Sequence, residues 1–148
     1  MIAVDTNVLI YAHRAEMALH ETSAAAVRRL ATSAAAWAIP WPCLHEFLSV
    51  VTHPRIFVPP SSIDEALDQI SAWASSPSLV MIGESRQHLS TLTALVKSAR
   101  IGGPRVRDAR VAAICLDHGV RALVTQDRDF SRFPSLRTRS VLEGPLAS

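Results

Sequence analysis

Met1-Ile2-Ala3-Val4-Asp5-Thr6-Asn7 opens the chain, and its reading decides the fold. Four apolar residues in an unbroken run describe a strand buried on both faces rather than one face of a helix. The polar triplet that follows describes the turn by which the chain leaves that strand. Working outward, the same signature recurs. Ala36–Ile39 is a short apolar run stopped by Pro40, Leu79–Ile82 is a third, Ala122–Thr125 is a fourth, and Thr138–Leu142 is a candidate fifth.

Between these runs the apolar period changes from continuous to helical. After a helical or irregular start at Val8–Tyr11, residues from about Glu21 to Ser33 place Val27, Leu30, Ala31 and Ala34 on one face. Pro42 to Thr52 does the same with Leu44, Phe47, Leu48 and Val51 before Pro54 ends it. Ser62 and Glu65 form a capping-box pattern ahead of Ile63, Ala66, Leu67, Ile70 and Trp73. Ser85–Ala99 turns Leu89, Leu92, Val96 and Ala99 inward. Asp108 opens a last helix that ends near His118-Gly119, where glycine suits the C-terminal cap. Short apolar strands alternating with helices predict a single three-layer α/β/α domain over residues 1–148. Its central sheet is mostly parallel, with about four or five strands.

Composition bounds the function. Of 148 residues, 49% are hydrophobic and 19% charged, the balance of a globular chain rather than a disordered one. The longest uncharged apolar stretch, Ala34 to Leu44, contains Pro40 and Pro42 and is too short to span a bilayer. The first residues lack the basic and long apolar regions of a signal peptide. Cys43 and Cys115 therefore read as buried free thiols, and the expected location is the cytoplasm. Charge is uneven: residues 1–99 carry six basic and eight acidic side chains, whereas residues 100–148 carry nine arginines and five acids. Arg105, Arg107, Arg110 and Arg128 are the candidates for gripping a polyanion such as RNA. The plainer reading of each arginine is a solvated surface.

The acids carry the chemistry. In an open parallel sheet, ligands bind beyond the carboxyl ends of the strands. Asp5 and Asp127 each directly follow a strand and should point there. Asp5 also reads as a turn residue, and Asp127 and Asp129 as turn acids. Asp108 falls in the first turn of its helix on the wheel direction of Val111, Ala112 and Cys115, so it faces the sheet, although aspartate is favoured at helix starts in any case. Glu46 lies away from its helix's apolar stripe, and the wheel alone describes an exposed glutamate. Acids converging on one crevice repel one another unless a cation lies between them. Oxygen-only ligands suit Mg²⁺ or Mn²⁺ rather than zinc. No glycine-flanked serine elbow or glycine-rich phosphate loop is present. Asn7 stands where an aspartyl phosphatase carries its second acid.

Four segments together resemble the PIN domains, and among them the VapC-type toxins. They are Val4-Asp5-Thr6-Asn7-Val8-Leu9-Ile10-Tyr11; Leu44-His45-Glu46-Phe47-Leu48 running on to Val51-Thr52-His53-Pro54-Arg55; Asp108-Ala109-Arg110-Val111-Ala112-Ala113; and Thr125-Gln126-Asp127-Arg128-Asp129-Phe130 with Arg132-Phe133-Pro134. The resemblance implies a Mg²⁺- or Mn²⁺-dependent endoribonuclease, the toxin of a type II toxin–antitoxin pair. It implies metal ligation by Asp5, Glu46, Asp108 and Asp127, with Asp129 as an outer or second-ion ligand and Thr6, Asn7 and Thr125 in support. It also implies a VapB-type antitoxin, a homodimer, and tRNA, rRNA or mRNA as substrate. Pro104, Arg107 and Arg110 depart from residues such relatives often carry, which puts substrate choice in the segment before Asp108. A non-catalytic RNA- or antitoxin-binding module, and a DNA-directed nuclease on the same fold, are the alternative expectations.

Overall fold

The computed structural model describes residues 1–145. Five strands, β1 (Ile2–Val4), β2 (Trp37–Pro40), β3 (Leu79–Ile82), β4 (Ala122–Val124) and β5 (Thr138–Arg139), form one sheet in the order β3-β2-β1-β4-β5. Every pairing is parallel, as runs without alternation require. The helices are α1 (Thr6–His13), α2 (His20–Thr32), α3 (Trp41–Val51), α4 (Ile63–Ala74), α5 (His88–Ala99) and α6 (Val106–Asp117). Right-handed crossovers put α1 to α4 over one face and α5 with α6 over the other. The packing agrees: α1 lies against α2 and α3, and α5 against α6. This is the three-layer α/β/α architecture.

The core is continuous across the layers. Trp37, Phe47, Phe130, Phe133, Ile2, Leu9, Ile39, Ile82, Ile114 and Leu123 are its largest fully buried side chains. Trp37 satisfies its indole N–H on Ser76 Oγ at 3.1 Å. Phe47 packs edge-on against Trp73 and His13, with centroids 4.9 and 5.3 Å away. The capping box at Ser62 and Glu65 is formed in both directions.

Several details differ from the periodicity. Val8–Tyr11, expected to be helical or irregular, lies within a full helix, α1, which follows β1 without a loop and is capped by Asp5. Ile63 and Leu67 of α4 and Leu89 of α5 are exposed, while Leu95 is buried in place of Leu89. The fifth strand is two residues long and gives way to a 3₁₀ turn at Val141–Glu143. Among the described residues, no helix is long and apolar enough to cross a membrane.

What positions the site is the sheet order. The chain builds β1, β2 and β3 outward in one direction, then returns to place β4 on the other side of β1. The carboxyl ends of β1 and β4 thus flank the point where the winding reverses, the crevice in which such sheets bind ligands.

Candidate metal centre

Asp5 follows the last residue of β1, and its amide donates to Val124 O at 3.0 Å, tying it to β4. Its carboxylate is buried and held by four donors. Thr6 N at 2.8 Å and Cys43 Sγ at 3.4 Å reach Oδ1, while Thr125 Oγ1 at 2.7 Å and Asn7 Nδ2 at 3.3 Å reach Oδ2. Burial pushes this carboxyl above the ordinary aspartate range, against the pull of the Thr125, Thr6 and Cys43 hydrogen bonds. Asp5 is thus the N-cap of α1, and that role is compatible with the acid role expected of it.

Thr125 links the two strand ends. Its hydroxyl donates to Asp5 and accepts from Asp127 N at 3.0 Å and from Asn7 Nδ2 at 3.2 Å. Asn7 Oδ1 in turn accepts from Gln126 N at 3.2 Å. Asp127 caps the 3₁₀ turn Arg128–Arg132 by accepting from Asp129 N at 2.9 Å. Thr6 forms the matching link to α3, donating from Oγ1 to Glu46 Oε2 at 3.1 Å. Glu46 is exposed, as its wheel position predicts. It reaches the crevice because α3 begins directly at the end of β2.

Thr125→Val keeps the side-chain shape and removes this shared hydroxyl. Leaving a buried carboxylate one donor short is expected to cost about 1–2 kcal/mol. Urea denaturation would read that loss, together with weaker Mn²⁺ binding. A variant as stable and as tight-binding as the parent would show that the hydroxyl does not orient Asp5.

Asp108, in the first turn of α6, meets Asp127 and Asp129 across the crevice. Each offers one carboxylate oxygen, and the three oxygens lie within 4.8 Å of one another. Among the described residues, no lysine, arginine or histidine pairs with any of them. Burial, then the charges of Asp127, Asp5, Asp129 and Glu46, push the Asp108 carboxyl up to about 6. This donor set fits a hard divalent cation: all oxygen, all anionic, and in need of a positive charge. The structure therefore groups Asp108, Asp127 and Asp129 most tightly. It sets Asp5 and Glu46 beside them, joined through Thr6.

Of the four candidate arginines, Arg107 and Arg110 line a cleft with Glu46. Arg110 is held by Glu84 through Nε, while Arg105 and Arg128 are exposed outside that cleft. Cys43 was legible only as a buried thiol. Burial, followed by the Asp5 charge, drives its ionisation well above the normal range, so it remains an S–H donor for Asp5. No spacing signal could have paired residues 5 and 43. The other cysteine, Cys115, is also a buried free thiol, pushed up to about 12 by burial.

Comparison with known proteins follows the same outline. The PIN domain family model matches residues 2–136. The VapC ribonuclease Mb2897 of Mycobacterium bovis is 33% identical over 144 residues, covering 97% of both chains. Ribonuclease VapC31 of Mycobacterium tuberculosis is 34% identical over 137 residues, covering 93% of this chain and 96% of its own. Among solved structures, VapBC2 from Rickettsia felis bound to a promoter DNA fragment superposes with a TM-score of 0.70 at 20% identity, over 95% of this chain and 98% of that one. VapC20 of Mycobacterium tuberculosis, a sarcin–ricin-loop-cleaving toxin, gives 0.64 at 17% identity over 88% and 93%.

Proposed function

Because the chain belongs to the PIN-domain family and groups with its VapC ribonucleases, we propose that it is a Mg²⁺- or Mn²⁺-dependent endoribonuclease and the toxin of a VapBC-type pair. The observation that carries this is the meeting of the Asp108, Asp127 and Asp129 carboxylates within 4.8 Å, with no ion pair to any of them among the described residues, beside the buried Asp5. A pure binder of RNA would gain from losing those negative charges, and a structural cluster would gain from pairing them.

In this reading Asp108, Asp127 and Asp129 hold the ion, with Asp5 and Glu46 completing its surroundings. When bound, a divalent ion supplies a lowered pKa for an attacking water and neutralises charge on the phosphate. The protein's own part is orientation. Thr6, Asn7, Thr125 and Cys43 fix Asp5, Thr6 also fixes Glu46, and Asp127 N is fixed by Thr125. Arg107 and Arg110 stand beside Glu46, where they would grip the strand's phosphates. The related proteins named as ribonucleases, and the toxin named for sarcin–ricin-loop cleavage, support structured RNA as the substrate class. The neighbour solved as a VapBC complex supports a VapB-type antitoxin as partner. A homodimer acting in the cytoplasm completes the reading.

Asp5→Asn tests it. The amide keeps the size of the side chain but removes its charge. The variant should remain folded by circular dichroism, lose Mg²⁺-dependent RNA cleavage and lose any growth inhibition. A folded variant that cleaves as fast as the parent would remove Asp5 from the reaction.

A further inference from the structure

Two clefts open from one pair of arginines. The first, about 210 Å³, runs between Pro42 and Glu46 of α3 and Arg107, Arg110 and Val111 of α6. The second, about 490 Å³, lies against the same Arg107 and Arg110 and is lined by His88 and Leu92 of α5 with Pro104 and Val106. The Gly103–Arg105 turn supplies Pro104, and Gly103 enters it at φ +62°, a conformation that glycine adopts without strain. Glu84 fixes Arg110, whereas Arg107 is exposed and has no ion pair among the described residues. His88 Nδ1 is shielded from solvent and has no hydrogen-bond partner among the described residues. Among the described residues, Arg107, Arg110 and His88 form no ion pair with Asp5, Asp108, Asp127 or Asp129.

We propose that the second cleft takes one unstacked nucleobase of the RNA, the one adjoining the cleaved phosphate, and so sets beside which nucleotide the enzyme cuts. This rests on the RNA-cleaving reading above. A strand whose phosphate lies on the shared arginines has one neighbour on the Glu46 side and the other at this cleft. A base has two apolar faces and a polar edge. Leu92, Pro104 and Val106 meet the faces, the Arg107 guanidinium offers a plane for stacking, and His88 forms part of the wall. The volume falls in the range of roughly 300–1,000 Å³ usual for small-ligand sites. Neutral apolar walls next to two arginines match a base joined to its phosphate. A base paired inside a duplex cannot enter, so the substrate is a loop or an unpaired segment.

The experiment begins by mapping cut sites in cellular RNA by end-sequencing with the wild-type protein and Mg²⁺. A hairpin carrying the main site is then made with each of the four bases, or an abasic sugar, at the nucleotides flanking the cut. Wild type, Val106→Trp and His88→Ala are compared by kcat/KM, by Mn²⁺ affinity and by oligomeric state. At one flanking position, wild type should cut the best base about tenfold faster than the abasic hairpin, the scale of one lost base contact. Val106→Trp, which fills the cleft, should flatten that preference with Mn²⁺ affinity unchanged, and His88→Ala should reorder the ranking among bases. If Val106→Trp keeps the wild-type ranking, the inference is overturned. That holds equally if its only effect is on self-association or antitoxin capture, which would make the cleft a protein-docking surface. A wild type that cuts specific sites but treats abasic and normal hairpins alike also overturns it, leaving the RNA-cleaving reading intact. A wild type that cuts no RNA overturns both.

Discussion

Asp108→Asn is expected to abolish cleavage while making the metal-free protein more stable. Asp108 carries two opposing demands. It completes the three-carboxylate group with Asp127 and Asp129, so its loss should lower the cleavage rate on the order of a hundredfold to a thousandfold, as removal of one charge-stabilising group does. The same position is unfavourable for an unshared negative charge, since burial and then the neighbouring acids raise its carboxyl to about 6 from 3.8. Because the folded value is the higher one, the stability linked to this group is fully present below about pH 3.8 and is lost as pH rises through about 6. Above that pH the folded, metal-free protein bears the repulsion. A shift of this size corresponds to roughly 3 kcal/mol at face value. Discounting for the solvent that reaches this part-exposed side chain leaves about 1–2 kcal/mol.

The asparagine cannot ionise, so at pH 7.5 with chelator the variant should melt about 3–6 °C higher than the parent. At pH 5 the gap should narrow, and saturating Mg²⁺ should close it from the other side by stabilising only the parent. Thermal melts at two pH values, with and without metal, check all three statements. A variant that is both inactive and less stable at pH 7.5 without metal would mean that Asp108 is held by contacts rather than by a metal it awaits.

Much of this architecture is legible in the sequence, and the limits have physical causes. Buried parallel strands are unbroken apolar runs, so Ile2–Val4 and Ala122–Val124 announce themselves, and Leu79–Ile82 is such a run although it forms a sheet edge with Val80 exposed. Their order does not, because register depends on partners far away in the chain. A helical wheel shows which residues share a face but not whether a neighbour covers that face. Hence Ile63, Leu67 and Leu89 lie at helical spacing and are nevertheless exposed.

The acids divide in the same way. Asp5 and Asp127 follow from position at strand ends, and Asp108 from its inward direction. Glu46 is exposed on its own helix and enters the site only because β2 delivers α3 to the crevice, where Thr6 meets it. Asp129 gains its place from the turn capped by Asp127. Cys43 is 38 residues from Asp5, and only the fold puts its thiol on that carboxylate.

The largest effect of all should come from the ion. Among the described residues, no lysine, arginine or histidine forms an ion pair with Asp108, Asp127 or Asp129. The folded protein should therefore hold its acids correctly and still be inert without a divalent cation. Mg²⁺ and Mn²⁺ suit an all-oxygen site such as the three grouped carboxylates, whereas Zn²⁺ prefers nitrogen and sulfur ligands. Chelation should lower cleavage by at least about a thousandfold, the scale of catalysis lost when charge stabilisation at a reacting centre is removed. Re-addition of Mg²⁺ or Mn²⁺ should restore it fully, because the Asp5 hydrogen bonds with Thr6, Cys43, Asn7 and Thr125 do not depend on the ion.

The decisive measurement is a Mn²⁺ titration of the chelator-stripped wild-type protein, with bound Mn²⁺ read by electron paramagnetic resonance and RNA cleavage read in the same samples. The predicted result is cleavage that is absent at the start, rises in step with occupied sites and saturates with them. Cleavage at full rate with no Mn²⁺ bound, under excess chelator, would contradict the metal-centred account.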